Sequence, residues 1–254
     1  MARFWVGTSG WQYEHWRERF YPKEVPEKDW LTYYSRQFST VEINNRFYIQ
    51  PSEQSWDRWR EIAPEGFWYA VKAHRYLTNR ERLKDCEDSL ERVIRSARRL
   101  NSHLGPLLFQ LPPYFKRTEE HTQRVNSFLQ LLPRELLCTF EFRDKSWFGE
   151  ETTEMLRRRG IAFCSSDKPG VECPLVATAR FAHMRFHGSR ARYRGKYTDA
   201  MLEDWADRLS SLAREVDEVY VYFNHDAWAH AVTNAKTLAG LLGLSASLPC
   251  AIPI

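Results

Sequence analysis

Short apolar segments of β-favouring residues alternate along the chain with longer segments whose apolar residues recur at helical spacing. Eight of the short segments predict strands, over residues 4–8, 40–44, 67–73, 107–111, 137–143, 161–165, 180–187 and 219–224. The longer segments predict helices over residues 29–37, 52–62, 89–100, 119–132, 150–159, 200–215 and 228–242. The sequence between the sixth and seventh predicted strands has no obvious helical pattern.

Eight strands interleaved with helices in 254 residues predict an α/β fold, a (β/α)8 TIM barrel that forms one domain over residues 1–254. We expect the connection between strands six and seven to be irregular or to lack its helix. An open doubly wound sheet usually carries a glycine-rich first turn, but the first turn here, from Gly7 to Gly10, reads GTSG and does not match GxGxxG. The closed barrel is therefore favoured.

The fifth predicted strand carries charge on one face only. Its sequence FEFR places Glu141 and Arg143 on one side and Phe140 and Phe142 on the other, because side chains alternate along a strand. A strand with one ionic and one apolar face suits a barrel whose outer surface packs on helices. We therefore expect the charged pair to face the C-terminal mouth, where TIM barrels build their active sites.

Other strands repeat this arrangement near their C-terminal ends. The polar or aromatic residues predicted to face inward on these strands are Glu42, Asn44, Lys72, His74, Gln110, His183, Arg185, His187, Tyr222 and Asn224. Apolar residues such as Val41 and Met184 alternate with them and predict the face that packs on the helices. The sequence therefore predicts a common bowl of polar side chains at the mouth of the barrel.

Composition and charge narrow the class of protein. The hydrophobic fraction of 43% and the charged fraction of 28% are ordinary for a soluble globular protein, and a formal charge of +4 does not by itself indicate a nucleic-acid binder. The five cysteines are odd in number and lack CxxC spacing, so reduced thiols are expected. With no signal-peptide pattern and no apolar run that could span a bilayer, we expect a cytoplasmic protein without a membrane partner.

Seven segments, in order along the chain, resemble the motifs of a known family. They are GTSGWQYEHW, VEINNRFY, FWYAVKAHR, PLLFQLPP, FEFRDKSW, MRFHG and VYFNHDAWAHAVTNA. Together they resemble the YecE-like family, labelled domain of unknown function 72, over nearly the whole chain. The resemblance implies a TIM barrel and no established reaction. Many relatives read FNN after the last strand where this chain has Phe223, Asn224 and His225, so a role of the second asparagine does not carry over.

The predicted bowl contains candidates for acid–base chemistry. They are Glu42, Glu141 and Asp167 as acids and Lys72, Arg143 and Arg185 as cations. Such crowding can shift pKa values and hold a proton-transfer group near neutral pH. The alternative is a buried ion-pair network that stabilises the C-terminal end of the barrel, since such networks also perturb pKa values. For Glu141 and Arg143 a functional role is favoured, because interior charges are costly unless they are used or fully paired.

His187, which precedes Gly188, is a candidate general base or metal ligand, with a hydrogen-bonded structural histidine as the alternative. Glu141, Asp167 and His187 have side-chain types that bind divalent metals. The neighbouring lysine and arginine side chains would repel such a cation. We therefore expect no cofactor, and a divalent metal on these three residues is the alternative.

Basic residues follow the seventh strand in the segment GSRARYRGKY. They stand at alternate positions, as Arg190, Arg192, Arg194 and Lys196. TIM barrels often bind phosphate with the loops after strands seven and eight, so Ser189 and Arg190 are ligand-binding candidates. The alternative is a solvated basic loop. The first loop, residues 11–21, mixes aromatic residues with arginines, and packing across the rim is favoured there over stacking on bases or sugars.

The favoured function is an enzyme that acts on a small anionic ligand, with phosphate as the expected group, at the mouth of the barrel. Glu141 is the leading acid or base, while Lys72, Arg143 and Arg185 would orient the ligand and stabilise negative charge. Neutral hydrogen bonds would come from Asn44, Gln110, Tyr222 and Asn224. Hydrolysis, lyase chemistry and isomerisation stay open.

Two other functions stay open as well. A nucleic-acid-binding phosphodiesterase or endonuclease-like protein would use the basic loops along the backbone, and its association with nucleic acid would depend steeply on salt. A non-catalytic ligand sensor would bind tightly without turnover. The sequence predicts no particular oligomeric state.

Overall fold

The computed structural model describes residues 2–44, 51–190 and 195–244, and in these ranges eight parallel strands form a barrel. The strands are β1 Arg3–Thr8, β2 Thr40–Ile43, β3 Trp68–Lys72, β4 Leu104–Gln110, β5 Cys138–Glu141, β6 Ala162–Asp167, β7 Phe181–Phe186 and β8 Glu218–Phe223. They are ordered β1-β8-β7-β6-β5-β4-β3-β2, so neighbours in sequence are neighbours in the sheet. This is the (β/α)8 barrel that the alternating pattern predicted.

The described part of the chain contains seven α-helices, six between strands and one after β8. They are α1 Trp30–Ser35, α2 Glu53–Ile62, α3 Glu87–Arg98, α4 Glu119–Leu131, α5 Glu150–Arg157, α6 Asp199–Leu212 and α7 His230–Leu241. The hydroxyls of Ser52, Thr118 and Thr198 cap three of them by accepting a backbone N–H. Residues 168–180 join β6 to β7 without a helix, which confirms the irregular connection. None of the described helices has the length and apolarity to span a bilayer.

The strand bounds differ from the predicted ones by one to three residues. β4 begins at Leu104, three residues early, because a bulge against β3 lets the backbone continue through Gly105 and Pro106. β5 ends at Glu141, so Arg143 lies just beyond the strand. Arg143 is therefore positioned by the loop after β5 rather than by the sheet.

The barrel closes between β1 and β2, where the two backbones approach closely at Gly7. A Cβ atom at Gly7 would stand 2.2 Å from the carbonyl oxygen of Thr40, so no side chain fits there. At the C-terminal end of this seam, Ser9 and Glu42 form a parallel bridge. The Gly10 N–H donates to the Glu42 carbonyl at 2.8 Å. The closure of the barrel therefore ends at a residue of the predicted bowl.

The two faces of the strands are buried against different surroundings. The outward residues, such as Phe109, Phe140 and Phe223, belong to the main hydrophobic core between strands and helices. Inside the barrel a second apolar cluster fills the N-terminal part, with Trp5, Ala70, Ala162, Phe181, Tyr220 and Tyr222. The polar residues are therefore left to the C-terminal part of the interior, as the alternation predicted.

Candidate functional site

Arg185 lies at the centre of the polar layer, and its side chain is fully buried. Its Nη2 donates to Oε1 of Glu42 at 2.7 Å, and its Nη1 donates to Oε2 of Glu141. The same Nη1 lies 3.3 Å from Oε1 of Gln110. One guanidinium therefore joins three strand ends, and both carboxylates that it joins are fully buried as well.

Strand register explains why these side chains meet. Gln110 and Glu141 are register partners at the ends of β4 and β5, and Glu42 and Arg185 lie next to the last residues of β2 and β7. All four point inward, since alternate residues of a strand share a face. The structure confirms that distant segments bring Glu42, Gln110, Glu141 and Arg185 to one level of the barrel.

Two more cations surround Glu141. The Nε of Arg143 lies 2.5 Å from Oε1 of Glu141, and its Nη2 donates to Oε1 of Gln110 at 2.7 Å. The Nζ of Lys168 lies 3.6 Å from Oε1 of Glu141. Glu42 in turn accepts a hydrogen bond from the Ser9 hydroxyl. Lys72 completes the group, which we call the charged bowl: Ser9, Glu42, Lys72, Gln110, Glu141, Arg143, Lys168 and Arg185.

The two carboxylates of the charged bowl stay ionised at neutral pH. Burial alone would raise the pKa of Glu141, but the charges of Arg143 and Arg185 outweigh it and hold this pKa well below its usual range. Burial also opposes ionisation of Glu42, yet Arg185 and its other partners lower the pKa of this carboxyl below its ordinary value. Neither glutamate is therefore the group that titrates near neutral pH, contrary to our expectation for Glu141.

Lys72 is the group of the charged bowl that titrates near neutral pH. Burial, followed by the positive charge of Arg185, lowers the pKa of Lys72 to about 8. The Nζ donates to Oδ1 of Asn44 at 3.2 Å. An amine with this pKa is partly unprotonated at neutral pH, so Lys72 can take up and release a proton where a glutamate of the charged bowl cannot.

Two histidines face the carboxylates and are neutral. His187 Nε2 lies 3.3 Å from Oε1 of Glu141, and its Nδ1 lies 3.4 Å from Nδ2 of Asn224. Below it, His183 Nε2 lies 3.8 Å from Oε2 of Glu42. Burial lowers the pKa of His187 to about 3 and that of His183 to about 4. A general base with a pKa near 3 is poorly matched to neutral pH, so His187 acts here as a hydrogen-bonding neighbour.

The charged bowl carries more positive than negative charge and reaches open space at its rim. Arg185, Arg143, Lys168 and protonated Lys72 provide four cations against two carboxylates, which leaves an excess of two positive charges, or of one when Lys72 is neutral. Arg143 and Lys168 line a cleft of about 1000 Å³ between the loops that follow β5 and β6. Asn44 lines a second cleft of about 830 Å³. The deep carboxylates are covered, but Arg143 and Lys168 border the first opening, whose lining also includes Lys145, Asp144, Asp167 and Glu172.

Comparison with known proteins identifies the family. The family described as "Protein of unknown function DUF72" matches residues 5–252 of the chain. The chain belongs to the DUF72 family. This membership confirms the resemblance that the sequence motifs indicated.

Relatives of this DUF72 protein share its length and fold. The UPF0759 protein YunF of Bacillus subtilis (strain 168) is 28% identical over an aligned length of 275 residues. The alignment covers 96% of this chain and 96% of YunF. A DUF72 family protein from Thermotoga maritima MSB8 superposes with a TM-score of 0.87 and 30% identity, over 95% of this chain and 99% of the other. One from Enterococcus faecalis V583 has a TM-score of 0.83 and 20% identity, over 96% of both. The barrel is therefore the family fold.

Asp167 lines the same cleft as Lys168, but its carboxyl does not reach the charged bowl. Asp167 has the parity of the outward residues of β6, and its carboxyl lies beside Tyr197, Trp205 and Arg208 on the outer side. Burial raises its pKa. The next residue, Lys168, points inward instead. Glu141, His187 and Asp167 therefore do not converge, and the described residues contain no group of three side chains suited to hold a metal.

Two further inward predictions need correction for this DUF72 barrel. Tyr222 does face inward, but its hydroxyl lies 2.7 Å from Oγ1 of Thr40 in the fully buried interior, below the charged bowl. It therefore fills the barrel and does not form a wall of the site. His74 lies beyond the end of β3, where the chain turns away, and its Nδ1 accepts the Tyr76 N–H at 3.2 Å. Asn44 and Asn224, by contrast, lie at the bowl as predicted.

The described ends of the loop after β7 bind each other. The Ser189 hydroxyl donates to the Lys196 carbonyl at 2.7 Å, and Arg190 is exposed. Arg192 and Arg194 lie outside the described residues. In the first loop Trp11, Trp16, Phe20 and Tyr21 are buried, which confirms packing across the rim for these residues.

Sequence reasoning missed Ser9, Lys168 and His183 as members or neighbours of the site. His183 was placed inward but given no role. Parity would have found Lys168, because it shares the face of Cys164 and Ser166 on β6. Ser9 follows β1 and carries no charge, so no signal in the sequence distinguished it from a turn residue.

Proposed function

We propose that the charged bowl binds a small anionic ligand, best matched by a phosphate group, and that this DUF72 protein is an enzyme in which Lys72 transfers the proton. The observation that carries the proposal is the excess of positive charge in the charged bowl. Its two carboxylates are already occupied by Arg185, while Arg143 and Lys168 border an open cleft. The C-terminal mouth is also where TIM-barrel enzymes bind their substrates.

Electrostatics favours an anion at this position. Uncompensated positive charge in a partly desolvated cavity attracts an anion more strongly than the same charge would in water. Guanidinium groups form paired hydrogen bonds with phosphate oxygens, and lysine adds a point charge. Arg143 and Lys168 are therefore the proposed ligand contacts, with Asn44, Gln110 and Asn224 as neutral hydrogen-bonding groups.

Glu141 and Lys72 have different roles in this proposal. The ionised Glu141 holds Arg143 and Arg185 in fixed positions, so the cations are oriented before the ligand arrives. Lys72, with its pKa of about 8, accepts or donates the proton of the reaction. A partly desolvated amine beside other cations is a setting in which lysine chemistry occurs at neutral pH.

Titration calorimetry with inorganic phosphate tests the anion site. We expect wild type to bind phosphate and Lys168→Met to weaken the affinity about 10-fold or more, the effect of losing one close charge. Lys145→Met is the matched control, because Lys145 lines the same cleft but is exposed. Equal affinity for wild type and Lys168→Met, or an equal loss in both variants, would contradict the proposal.

Amine acetylation followed by mass spectrometry tests Lys72. We expect its rate of reaction with acetic anhydride to rise through an apparent pKa of about 8, and saturating phosphate to slow it. An ordinary exposed lysine should instead follow a pKa near 10.4. A Lys72 that reacts only above pH 10, with or without phosphate, would remove it as the proton-transfer group.

A further inference from the structure

Trp228 is an exposed aromatic residue in a strained stretch of backbone. It is 64% exposed, the highest value among the large hydrophobic side chains of the described residues. Its backbone lies at φ 58° and ψ 20°, and that of Ala229 lies at φ 58° and ψ 24°. Two successive residues with a Cβ atom therefore adopt the left-handed conformation that disfavours one. Such strain persists only where the surroundings fix it, and it clusters at functional positions.

The base of this segment is fixed by the first loop. The carbonyl of Asp226 accepts the indole N–H of Trp16 at 2.8 Å and the backbone N–H of Ala229 at 3.1 Å. His15 lies 2.9 Å from the same carbonyl and 3.3 Å from the Asp226 carboxylate. Ala229 itself is buried. The exposed ring is therefore presented from a rigid support rather than from a free loop.

A guanidinium lies over one face of the ring. The guanidinium of Arg19 lies over Trp228, 4.2 Å from the ring centroid. Burial lowers the pKa of His230, the second residue after Trp228, and the charges of Lys196 and Arg19 contribute to this shift. Arg19 and Lys196 are themselves exposed. Arg19 covers one face of the indole, and the exposed area of the ring leaves its other side to a ligand.

We propose that Trp228 and Arg19 form a platform that binds a nucleotide unit, with its base stacked on the indole and its phosphate beside the guanidinium. An indole offers its π-face to any base, and arginine adds a cation–π contribution to such stacks. The exposed guanidinium beside the ring selects an anionic partner over a neutral sugar. The platform lies on the outer rim, and the proposal stands independently of the charged bowl.

Fluorescence polarisation with labelled ten-nucleotide single strands of DNA and RNA tests the platform. We expect wild type to bind at 50 mM salt and to weaken as salt rises. Trp228→Ala should weaken binding about 5- to 150-fold, the loss of one stacked base. Trp228→Phe keeps an aromatic face and should stay within about 5-fold of wild type. Because the ring is mostly exposed, both variants should melt within a few degrees of wild type.

Tyr114→Ala is the matched control. Tyr114 is 55% exposed and has Arg82 over its ring at 5.2 Å, but its own backbone is not in the left-handed region. It should bind the strands as wild type does. Calorimetry with adenosine monophosphate shows whether the nucleotide unit comes from a free nucleotide or from nucleic acid. If the affinity for adenosine monophosphate depends on Trp228 as much as the affinity for the strands does, the ligand is a free nucleotide. If only the strands bind, the ligand is nucleic acid.

Three results would overturn the proposal. One is an unchanged affinity of Trp228→Ala for both the strands and adenosine monophosphate. Another is the absence of binding of either probe to wild type at millimolar concentration. The third is a loss of affinity for the nucleic-acid strands in Lys168→Met but not in Trp228→Ala. This result would place the nucleic acid in the charged bowl instead.

Discussion

The two ends of the barrel interior are built from the same strands and filled in opposite ways. At the N-terminal end, Tyr220 has ring contacts with Trp5 and Phe181, at centroid distances of 6.2 Å and 6.0 Å. At the C-terminal end, Arg185 is held between Glu42 and Glu141. Apolar packing alone can fill a barrel interior, and buried ion pairs seldom improve on it. The charges are therefore present for a reason other than stability.

The difference is sharpest at Glu141. In Glu141→Gln, buried Arg143 loses its carboxylate and buried Arg185 keeps only that of Glu42, so we expect a loss of about 3–5 kcal/mol in the free energy of unfolding. At the apolar end, Phe181→Leu keeps most of the volume and should cost less than about 1.5 kcal/mol. Urea denaturation at pH 7 measures both. A Glu141→Gln variant that loses less than Phe181→Leu would remove the distinction between the two ends.

Acid should weaken the charged end first. His183 and His187 have folded pKa values of about 4 and about 3, below the ordinary 6.5 of the unfolded chain. The unfolded chain therefore takes up protons first as pH falls below 6.5, and folded stability drops. We expect a loss of about 2–3 kcal/mol between pH 7 and pH 5.5, up to about 1.4 kcal/mol per pH unit for each histidine.

The glutamates add to the acid loss at lower pH, because their lowered pKa values stabilise the folded state only above about pH 4.5. Urea titrations at pH 7, 6 and 5.5 check the histidine part. His183→Gln should remove about half of the slope. A stability that is flat from pH 7 to pH 5.5 would contradict the assignment of two neutral, buried histidines.

Lys72 should reduce stability at neutral pH. Its folded pKa of about 8 lies below its ordinary 10.5, so the charged amine disfavours folding below pH 8, and this cost fades as pH rises to 10.5. Lys72→Met should therefore raise the free energy of unfolding at pH 7 by about 1–2 kcal/mol. The gain should vanish near pH 10.5. A Lys72→Met protein that is less stable than wild type at pH 7 would contradict the lowered pKa.

The smallest expected effect lies between the two ends. Tyr222→Phe removes one hydrogen bond to Thr40, whose hydroxyl still donates to the Trp68 carbonyl at 2.8 Å. We expect a loss of about 1 kcal/mol in unfolding free energy and unchanged affinity for phosphate. Weaker phosphate binding in this variant would return Tyr222 to the site as one of its walls.

Side-chain alternation predicted the centre of the site because the geometry of strands is regular. Glu42, Gln110, Glu141 and Arg185 lie on four different strands, yet their parity and their distance from the strand ends place them at one level. The barrel fold itself follows from the same repetition. The fold and the common level of these four side chains both follow from backbone geometry. The period of apolar and polar residues in the sequence reflects that geometry directly.

The pattern fails where position depends on more than parity. Asp167 was chosen for its charge, although its parity matches the outward Phe163 and Ser165, and Lys168 occupies the inward position. Tyr222 has the right parity, but its hydroxyl contacts Thr40 in the fully buried interior. That Lys72 rather than Glu141 titrates near neutral pH is harder still to predict from sequence. These pKa values depend on distances among several charges that no single segment contains.

Gly7 gives the barrel a property that its regular appearance hides. The first and second strands meet there without room for even a methyl group, and the last hydrogen bond of that junction is accepted by Glu42, whose carboxylate grips Arg185. The closure of the barrel between its first two strands therefore ends at a residue of the charged bowl. Fraying of that junction would remove the Glu42 contact of Arg185, so an intact barrel is a condition for a fully assembled binding centre.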